Sequence, residues 1–223
     1  MQSFTKTSLV VAAVLAGLVS QAGAQTTGVT APGGVDSVAF GQLGPSFTTV
    51  GDGAAVTTVN SVAANVFLAD EGSMERLDQG NGWNGNFVPG DALLWNQGNY
   101  QQTGIDMSFS FATPISGFGE FIQADYFGGF TGTISAYDSS DNLLGTFSEA
   151  GNSTSAGDGS AIFLGISSDS ANISSVDFNV VDQFGGDSLA LGNVGRVPDA
   201  ASTSGLLGLA ALGLGMIRRK IAK

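Results

Sequence analysis

The sequence predicts an all-β protein, an antiparallel β-sandwich that resembles a jelly roll. Short segments alternate between apolar and polar residues, and turn-forming residues recur about every ten positions. No long stretch between residues 25 and 196 repeats its apolar residues at helical spacing. The chain also lacks an internal repeat of about twenty to fifty residues, which argues against a propeller or a solenoid. These observations favour a sandwich of about nine or ten short strands over an α/β domain.

The clearest predicted strand covers residues 105–111, where four apolar side chains alternate with Asp and Ser. We expect Pro114 to interrupt it. The next strand covers residues 118–124. Phe118 and Ile122 would face one way and Phe121 the other, so this strand should be covered on both sides.

The other predicted strands are shorter or less regular. Residues 131–137 and 143–148 form a hairpin around a turn of Asp, Ser and Asn at 138–142. The remaining segments are 35–40, 47–50, 55–59, 65–68, 92–95, 161–166, 173–181 and 189–194. Together they assign residues 25–196 to one β-sandwich domain, a length that suits a single core.

The start of the chain has the features of a secretory signal peptide. Lys6 precedes an apolar stretch at residues 9–19, and Ala22 and Ala24 bracket Gly23 in an A-x-A-like cleavage site. A buried helix would not be expected to end in small residues followed by polar ones. Residues 1–24 are therefore predicted to form a signal helix that signal peptidase removes, and the protein is predicted to be exported.

The end of the chain combines an apolar run with a basic terminus. Residues 205–217 are apolar, and Arg218 and Arg219 follow directly. The run is shorter than the roughly 20 residues that span a bilayer, although residues 200–204 extend it close to that length. By the positive-inside rule the basic end stays in the cytoplasm and the body lies outside. Its glycines favour a membrane helix over a core helix.

Just before this run stand Val197, Pro198 and Asp199, followed after two alanines by Ser202 and Thr203. With the apolar run and the two arginines, these residues resemble the tail of PEP-CTERM bacterial surface proteins, in the variant that begins Val-Pro-Asp-Ser-Gly. The two alanines depart from that variant. The resemblance implies that residues 197–223 are a sorting signal recognised by a membrane enzyme, an exosortase, and that the protein is associated with exopolysaccharide and biofilm.

Charge and composition exclude several classes of function. The chain has nineteen carboxylates and a net charge of −12. All nineteen lie between Asp36 and Asp199, and the cations in that span are Arg76 and Arg196, so nineteen negative and two positive charges give residues 36–199 a net charge of −17. Such a body should not bind nucleic acid, which needs clustered Lys or Arg. There is no Cys or His, and residues 25–196 contain no Lys. Catalytic triads, thiol nucleophiles, Schiff bases and ordinary zinc sites are therefore excluded.

The most distinctive part of the body covers residues 78–100, where both tryptophans and five asparagines occur. Aromatic rings beside amides suit a carbohydrate site, since a sugar stacks on a ring while amides bond its hydroxyls. The candidate residues for polysaccharide are Trp83, Trp95, Tyr100 and Tyr126. In the alternative interpretation the tryptophans cap the core and the asparagines serve turns.

We predict no cofactor for this protein. Two acidic turns suggest structural calcium as the alternative. The candidate ligands are Asp138, Asp141 and Asp187, and neither of the two segments that contain them has the spacing of an EF-hand loop. Asx turns explain residues 138–142 without a metal.

Catalysis by carboxylates is the one enzymatic option left. The candidates Glu71, Glu75, Glu120 and Glu149 show no spacing that selects a catalytic pair, and Glu120 could be either partly buried or at an edge. We therefore predict a non-enzymatic, exported surface or matrix protein. A carbohydrate-binding module for extracellular polysaccharide and a carboxylate glycosidase remain as alternatives.

Overall fold

A computed structural model describes residues 25–69, 73–98, 106–186 and 188–192. They form two β-sheets and a short 3-10 turn, Phe40–Leu43. The first sheet has the strand order β1-β12-β9-β14-β7-β5-β2, with β6 pairing in parallel with β5 and all other pairs antiparallel. Its strands are β1 (Thr26–Val29), β2 (Thr48–Gly51), β5 (Ser73–Gln79), β6 (Gly82–Trp83), β7 (Ala92–Trp95), β9 (Gly117–Ala124), β12 (Ile162–Ser168) and β14 (Leu189–Gly192).

The second sheet is antiparallel throughout and has the order β11-β10-β13-β8-β4-β3. Its strands are β3 (Ala54–Thr57), β4 (Ala63–Leu68), β8 (Met107–Ile115), β10 (Gly128–Tyr137), β11 (Leu143–Ser153) and β13 (Ile173–Asp182). The two sheets confirm the prediction of an all-β, mainly antiparallel fold. The jelly-roll connectivity stays a prediction. The predicted signal helix and C-terminal helix lie outside the described residues.

The core lies between the inner faces of the two sheets. Phe118 of the first sheet packs its ring against Phe109 and Phe111 of the second, with ring centroids 5.1 and 5.0 Å apart. Phe178 on β13 joins them, edge-on to Phe109 at 6.1 Å. These tilted and edge-to-face contacts are the preferred arrangements of aromatic rings and bury large apolar areas. The shared core therefore binds the sheets into a sandwich.

Pro114 affects pairing without ending its strand, which corrects the predicted interruption. β8 continues to Ile115, but its register with β13 shifts between the Ser110–Ser175 pair and the Ile115–Ile173 pair. Proline has no N–H to donate to a neighbouring strand, so the ladder adjusts around it.

The outer face of the first sheet is covered by two loop segments, residues 84–91 and 154–161, which we call the cover. The two segments bond each other: Gly157 N–H donates to Gly85 O at 2.7 Å, and Ala161 N–H donates to Asn86 O at 3.3 Å. The cover completes a second apolar cluster on this side, formed by Leu77, Trp83, Phe87, Leu93, Ala161 and Ala190. The prediction that residues 118–124 are covered on both sides is therefore confirmed.

Candidate ligand-binding face

The two tryptophans lie side by side, but in the protein interior. Their ring centroids are 6.1 Å apart at an angle of 55°. Trp83 is only 7% exposed, while Trp95 is half-buried and its Nε1 donates to Ser188 Oγ at 3.1 Å. A buried ring offers no face to a sugar. This arrangement agrees with the alternative interpretation, in which the pair packs on the sandwich, and we place no sugar site there.

Tyr126 lies in the connection from β9 to β10, and Tyr100 is outside the described residues. The residue before Tyr126, Asp125, connects to Trp95 through Ser188, whose Oγ lies 3.4 Å from Asp125 Oδ2. Burial raises the pKa of Asp125, and the hydrogen bond from Ser188 opposes that shift. Phe127, next along the chain, is 52% exposed. The predicted aromatic candidates therefore do not form one continuous exposed surface among the described residues.

The acidic turn at residues 138–142 uses its own carboxylate. Asp138 Oδ1 accepts hydrogen bonds from Ser140 N–H at 2.8 Å and Asn142 N–H at 3.0 Å, and the Asn142 amide adds further bonds. These bonds lower the pKa of Asp138. Asp187 is outside the described residues, among which no group of three or more His, Cys, Asp or Glu is placed to hold a metal. The geometry matches an Asx turn, and the calcium alternative stays a prediction.

Glu120 is fully buried on β9 and faces the core, because it alternates with Phe118 and Ile122. Its Oε1 accepts a hydrogen bond from Val38 N–H at 2.5 Å, and its Oε2 has no partner. Burial raises its pKa well above the usual range, the Val38 bond opposes this, and the charge of Asp36 adds to it. Glu120 is therefore more deeply buried than the partial burial that the sequence suggested, and the alternative of an edge position is wrong.

The other glutamates are separated in the fold. Glu75 lies on β5 of the first sheet and Glu149 on β11 of the second, while Glu71 is outside the described residues. Glu120 is sealed from solvent between the sheets. A hydrolytic pair needs two carboxyl groups on either side of a bound sugar, and no such arrangement can be assigned to these three described residues.

The outer face of the second sheet is not covered by any of the described segments, and we call it the open face. Its side chains are mainly hydroxyls and amides arranged in rows across the strands. One row runs through Tyr137, Ser175, Ser110 and Asn65, the next through Ser135, Asp177 and Ser108, and a third through Thr133 and Asn179. Cross-strand hydroxyl pairs continue two rows onto β11: Thr133 with Ser148 and Ser135 with Thr146, each at 2.9 Å.

A groove of about 450 Å³ crosses the open face. Its lining combines the ring and hydroxyl of one tyrosine, two carboxylates and three serine hydroxyls above the backbone of β8, where the Phe109 ring is buried. The residues are Ser108, Phe109, Ser110, Tyr137, Asp141, Ser175 and Asp177. Partial burial raises the pKa of Tyr137, and the negative charge of Asp177 raises it further by a smaller amount. The groove thus offers hydrogen-bond donors and acceptors together with one ring, the groups a glycan site uses.

Positive charge is almost absent from the described residues. Their fifteen carboxylates stand against the single guanidinium of Arg76, a net charge of −14. Arg76 is 7% exposed and forms an ion pair with Asp78, so it offers little to a ligand. The open face therefore lies in a negative field.

This face was not among the predicted sites, although the sequence contains a signal for it. Thr131, Thr133, Ser135 and Tyr137 alternate with inward-facing residues on β10, and Ser175, Asp177 and Asn179 do so on β13. Two neighbouring strands with hydroxyl-rich outer positions indicate a polar surface. The sequence alone did not show that these two strands are neighbours.

Residues 196–221 match the family model described as the VPDSG-CTERM motif. The chain ends in a PEP-CTERM-type sorting motif. The match includes Val197, Pro198, Asp199, Arg218 and Arg219, so the resemblance drawn from these residues is confirmed. The motif indicates an exported, envelope-associated protein carrying an exosortase-type signal. The matched residues are all outside the part of the chain that the structure describes.

Comparison of the whole chain adds little to this. A DUF4465 family protein from Bacteroides caccae ATCC 43185 is 13% identical, with a TM-score of 0.38 over 80% of this chain and 94% of that one. No curated protein matches the sequence. Within the described residues, the structure contains no helix with the length and apolar character of a membrane span. The predicted transmembrane run at residues 205–217 is outside that part of the chain.

Proposed function

We propose that this protein is a non-enzymatic component of the cell surface or extracellular matrix that associates with exopolysaccharide in biofilm. The sorting motif at residues 196–221 is the observation that carries the proposal. In this proposal the signal peptide at residues 1–24 directs export, and the apolar run at 205–217 holds the protein briefly in the membrane. An exosortase-type enzyme then processes the tail, which leaves the sandwich outside the cell.

The open face supports association with a polysaccharide. Its rows of hydroxyl and amide groups can exchange hydrogen bonds with sugar hydroxyls, and strands hold these groups at regular spacing of about 4.8 Å. The cover on the first sheet leaves no comparable array among the described residues there, because its buried amides already have partners. Gln123 Oε1 accepts from the backbone N–H of Asn86 and its Nε2 donates to Ser153 Oγ, while Asn86 Nδ2 donates to Thr154 Oγ1. We therefore place the carbohydrate-binding function on the second sheet and not at Trp83 and Trp95.

A non-enzymatic role agrees with the chemistry available. The chain has no His or Cys. Among the described residues, the carboxyl group whose pKa is raised well above the usual range, Glu120, lies in the core, where no substrate reaches it. An acid catalyst must contact the bond it protonates. The glycosidase alternative therefore has no specific observation in its favour.

The sorting step is tested by two variants followed in cell fractions. Deletion of residues 197–223 should release the protein from the envelope, since both the recognition motif and the apolar run are removed. Replacing only Val197, Pro198 and Asp199 by alanine keeps the apolar run, and should leave unprocessed protein of full mass in the membrane. Unchanged fractionation and unchanged mass in both variants would contradict the proposal.

The binding step is tested by retention on polysaccharide from the same cells. The combined substitutions Thr133→Val and Ser135→Ala remove two hydroxyls from the open face and should weaken retention. The matched control, Thr48→Val and Ser46→Ala, removes two hydroxyls at the edge of the first sheet, each of which donates to a backbone carbonyl. Equal loss in both pairs, or no binding by the parent protein, would count against a role for the open face.

A further inference from the structure

The structure assigns a more specific ligand class to the groove on the open face: we propose that Tyr137, Asp141 and Asp177 bind the protonated amino group of a polysaccharide with free amino sugars. This inference rests on the proposed association with polysaccharide and names the chemistry that would select one polymer over another. The partner would be a glycan that carries positive charge.

The register of the second sheet and the turn after β10 bring the three groups to one groove. Tyr137 pairs with Ser175 across β10 and β13, and Asp177 stands two residues further along β13 on the same face. Diagonal neighbours of this kind lie within reach of an aromatic side chain. Asp141 reaches the same groove from the turn after β10, where its backbone has a φ of 58°. Two carboxylates and a ring therefore line one depression.

Each group suits an ammonium ion in a different way. Carboxylates form strong charge-assisted hydrogen bonds with N–H donors, and the face of a tyrosine ring attracts a cation. The hydroxyls of Ser108, Ser110 and Ser175 can bond the neighbouring sugar hydroxyls. The groove thus provides contacts both for the amino group and for the ring that carries it.

The charge of the protein favours a cationic polymer over the other classes. With fifteen carboxylates against Arg76 in the described residues, the field repels polymers that carry carboxylate, sulfate or phosphate groups. A neutral polymer would gain nothing from that field.

A calcium ion fits the groove less well than an ammonium group. Calcium would need six to eight oxygen ligands, and the nearby Asp138 already accepts hydrogen bonds from Ser140 N–H and Asn142 N–H through its Oδ1.

The test compares two probes that differ only in acetylation. The mature protein is titrated with chitosan oligosaccharides, which have free amino groups, and with the same oligosaccharides after full N-acetylation. We expect the free amine form to bind about tenfold more tightly, with affinity falling as salt rises. Asp177→Asn should remove about tenfold of that affinity. Glu149→Gln on β11, which changes the charge equally outside this groove, should leave it unchanged.

A second variant guards against misfolding. Asp141→Asn suits the left-handed backbone at this position and should also weaken binding of the free amine form while thermal unfolding stays unchanged. Equal affinity for the two oligosaccharides overturns the inference but leaves polysaccharide association intact. Binding of neither probe, together with retention on cellular polysaccharide, also overturns it. Loss of binding on addition of EDTA would show that a metal ion bridges protein and glycan instead. A loss of affinity in Glu149→Gln equal to that in Asp177→Asn would show nonspecific charge attraction.

Discussion

The outer faces of the two sheets differ although their inner faces share one core. On the first sheet the cover buries the outward side chains, so β9 and β14 have almost no contact with water. On the second sheet the outward side chains of β10 and β13 meet solvent as alternating polar residues. The first sheet is therefore buried on both faces, whereas the described residues leave one polar face of the second sheet in contact with solvent.

One side chain fixes much of this difference. Gln123 points outward from β9, and its Oε1 accepts from Asn86 N–H at 2.6 Å. Its Nε2 donates to Ser153 Oγ at 2.6 Å and to Thr154 O at 3.2 Å. Both segments of the cover are therefore tied to the sheet through a single buried amide. Within the described part of the chain, no loop lies over the outward residues of β10, such as Thr133.

The largest effect should come from truncating the aromatic side chain beneath the cover. Trp83→Ala removes a ring that is 7% exposed and packs against Trp95, so unfolding free energy should fall by about 3–5 kcal/mol. Urea unfolding measures the loss. Trp83→Phe is the control: it keeps a ring and removes an Nε1 that has no hydrogen-bond partner, so it should cost less. A loss under about 1 kcal/mol in Trp83→Ala would show that the cover is not part of the stable fold.

The next effect concerns the amide that ties the cover. Gln123→Leu keeps the volume but leaves Asn86 N–H and Thr154 O without their partner, which should cost about 2–4 kcal/mol. Gln42→Leu is a matched control, because Gln42 also makes three hydrogen bonds but is exposed. Water can replace its bonds, so the control should lose less than about 1 kcal/mol. Equal losses of unfolding free energy in the two variants, measured by thermal or urea unfolding, would contradict the claim that Gln123 holds the cover on the first sheet.

Alternation along the chain predicted the inner and outer faces well, because a strand turns successive side chains to opposite sides. It correctly indicated the part of β8 from Met107 to Phe111, the two-sided burial of β9 and the turn at residues 138–142. It underestimated β11, predicted as 143–148 but continuing to Ser153. There, glycine and asparagine look like turn residues although β10 pairs with them throughout.

The cover could not be predicted in the same way. Asn86 and Gln123 are 37 positions apart, and no local pattern in the sequence indicates that the Asn86 N–H donates to the Gln123 side chain. The burial of Trp83 could not be predicted for the same reason: an aromatic ring beside asparagines looks equally suitable for sugar binding whether loops cover it or not. Which outer face stays open depends on long-range hydrogen bonds, and these follow from the fold rather than from local pattern.

Burial of β9 on both sides also predicts a pH dependence. The pKa of Glu120 is raised in the folded protein by burial, so the folded state holds a proton that the unfolded state releases. Its contribution to stability is full below the unfolded pKa of about 4.3. It is then lost, by up to about 1.4 kcal/mol per pH unit, as pH rises toward the folded pKa.

Glu120→Gln should remove this dependence. The amide copies the protonated carboxyl and keeps an oxygen for Val38 N–H, so the variant and the parent should have similar stability at low pH. The variant should become the more stable one as pH rises. The check is the unfolding free energy of both proteins, measured across the pH range. Glu149→Gln is the matched control. Parallel curves would mean that Glu120 is ionised in the folded core.

The smallest change in stability should come from the open face. Thr133→Val keeps the branched shape and removes only the hydroxyl that pairs with Ser148 at 2.9 Å in solvent, so unfolding free energy should change by no more than about 0.5 kcal/mol. Retention on polysaccharide is the second measurement, and it should fall although stability does not. A variant that loses stability but retains binding would reverse the roles assigned to the two sheets, since the open face would then hold the fold and the ligand would have to bind elsewhere.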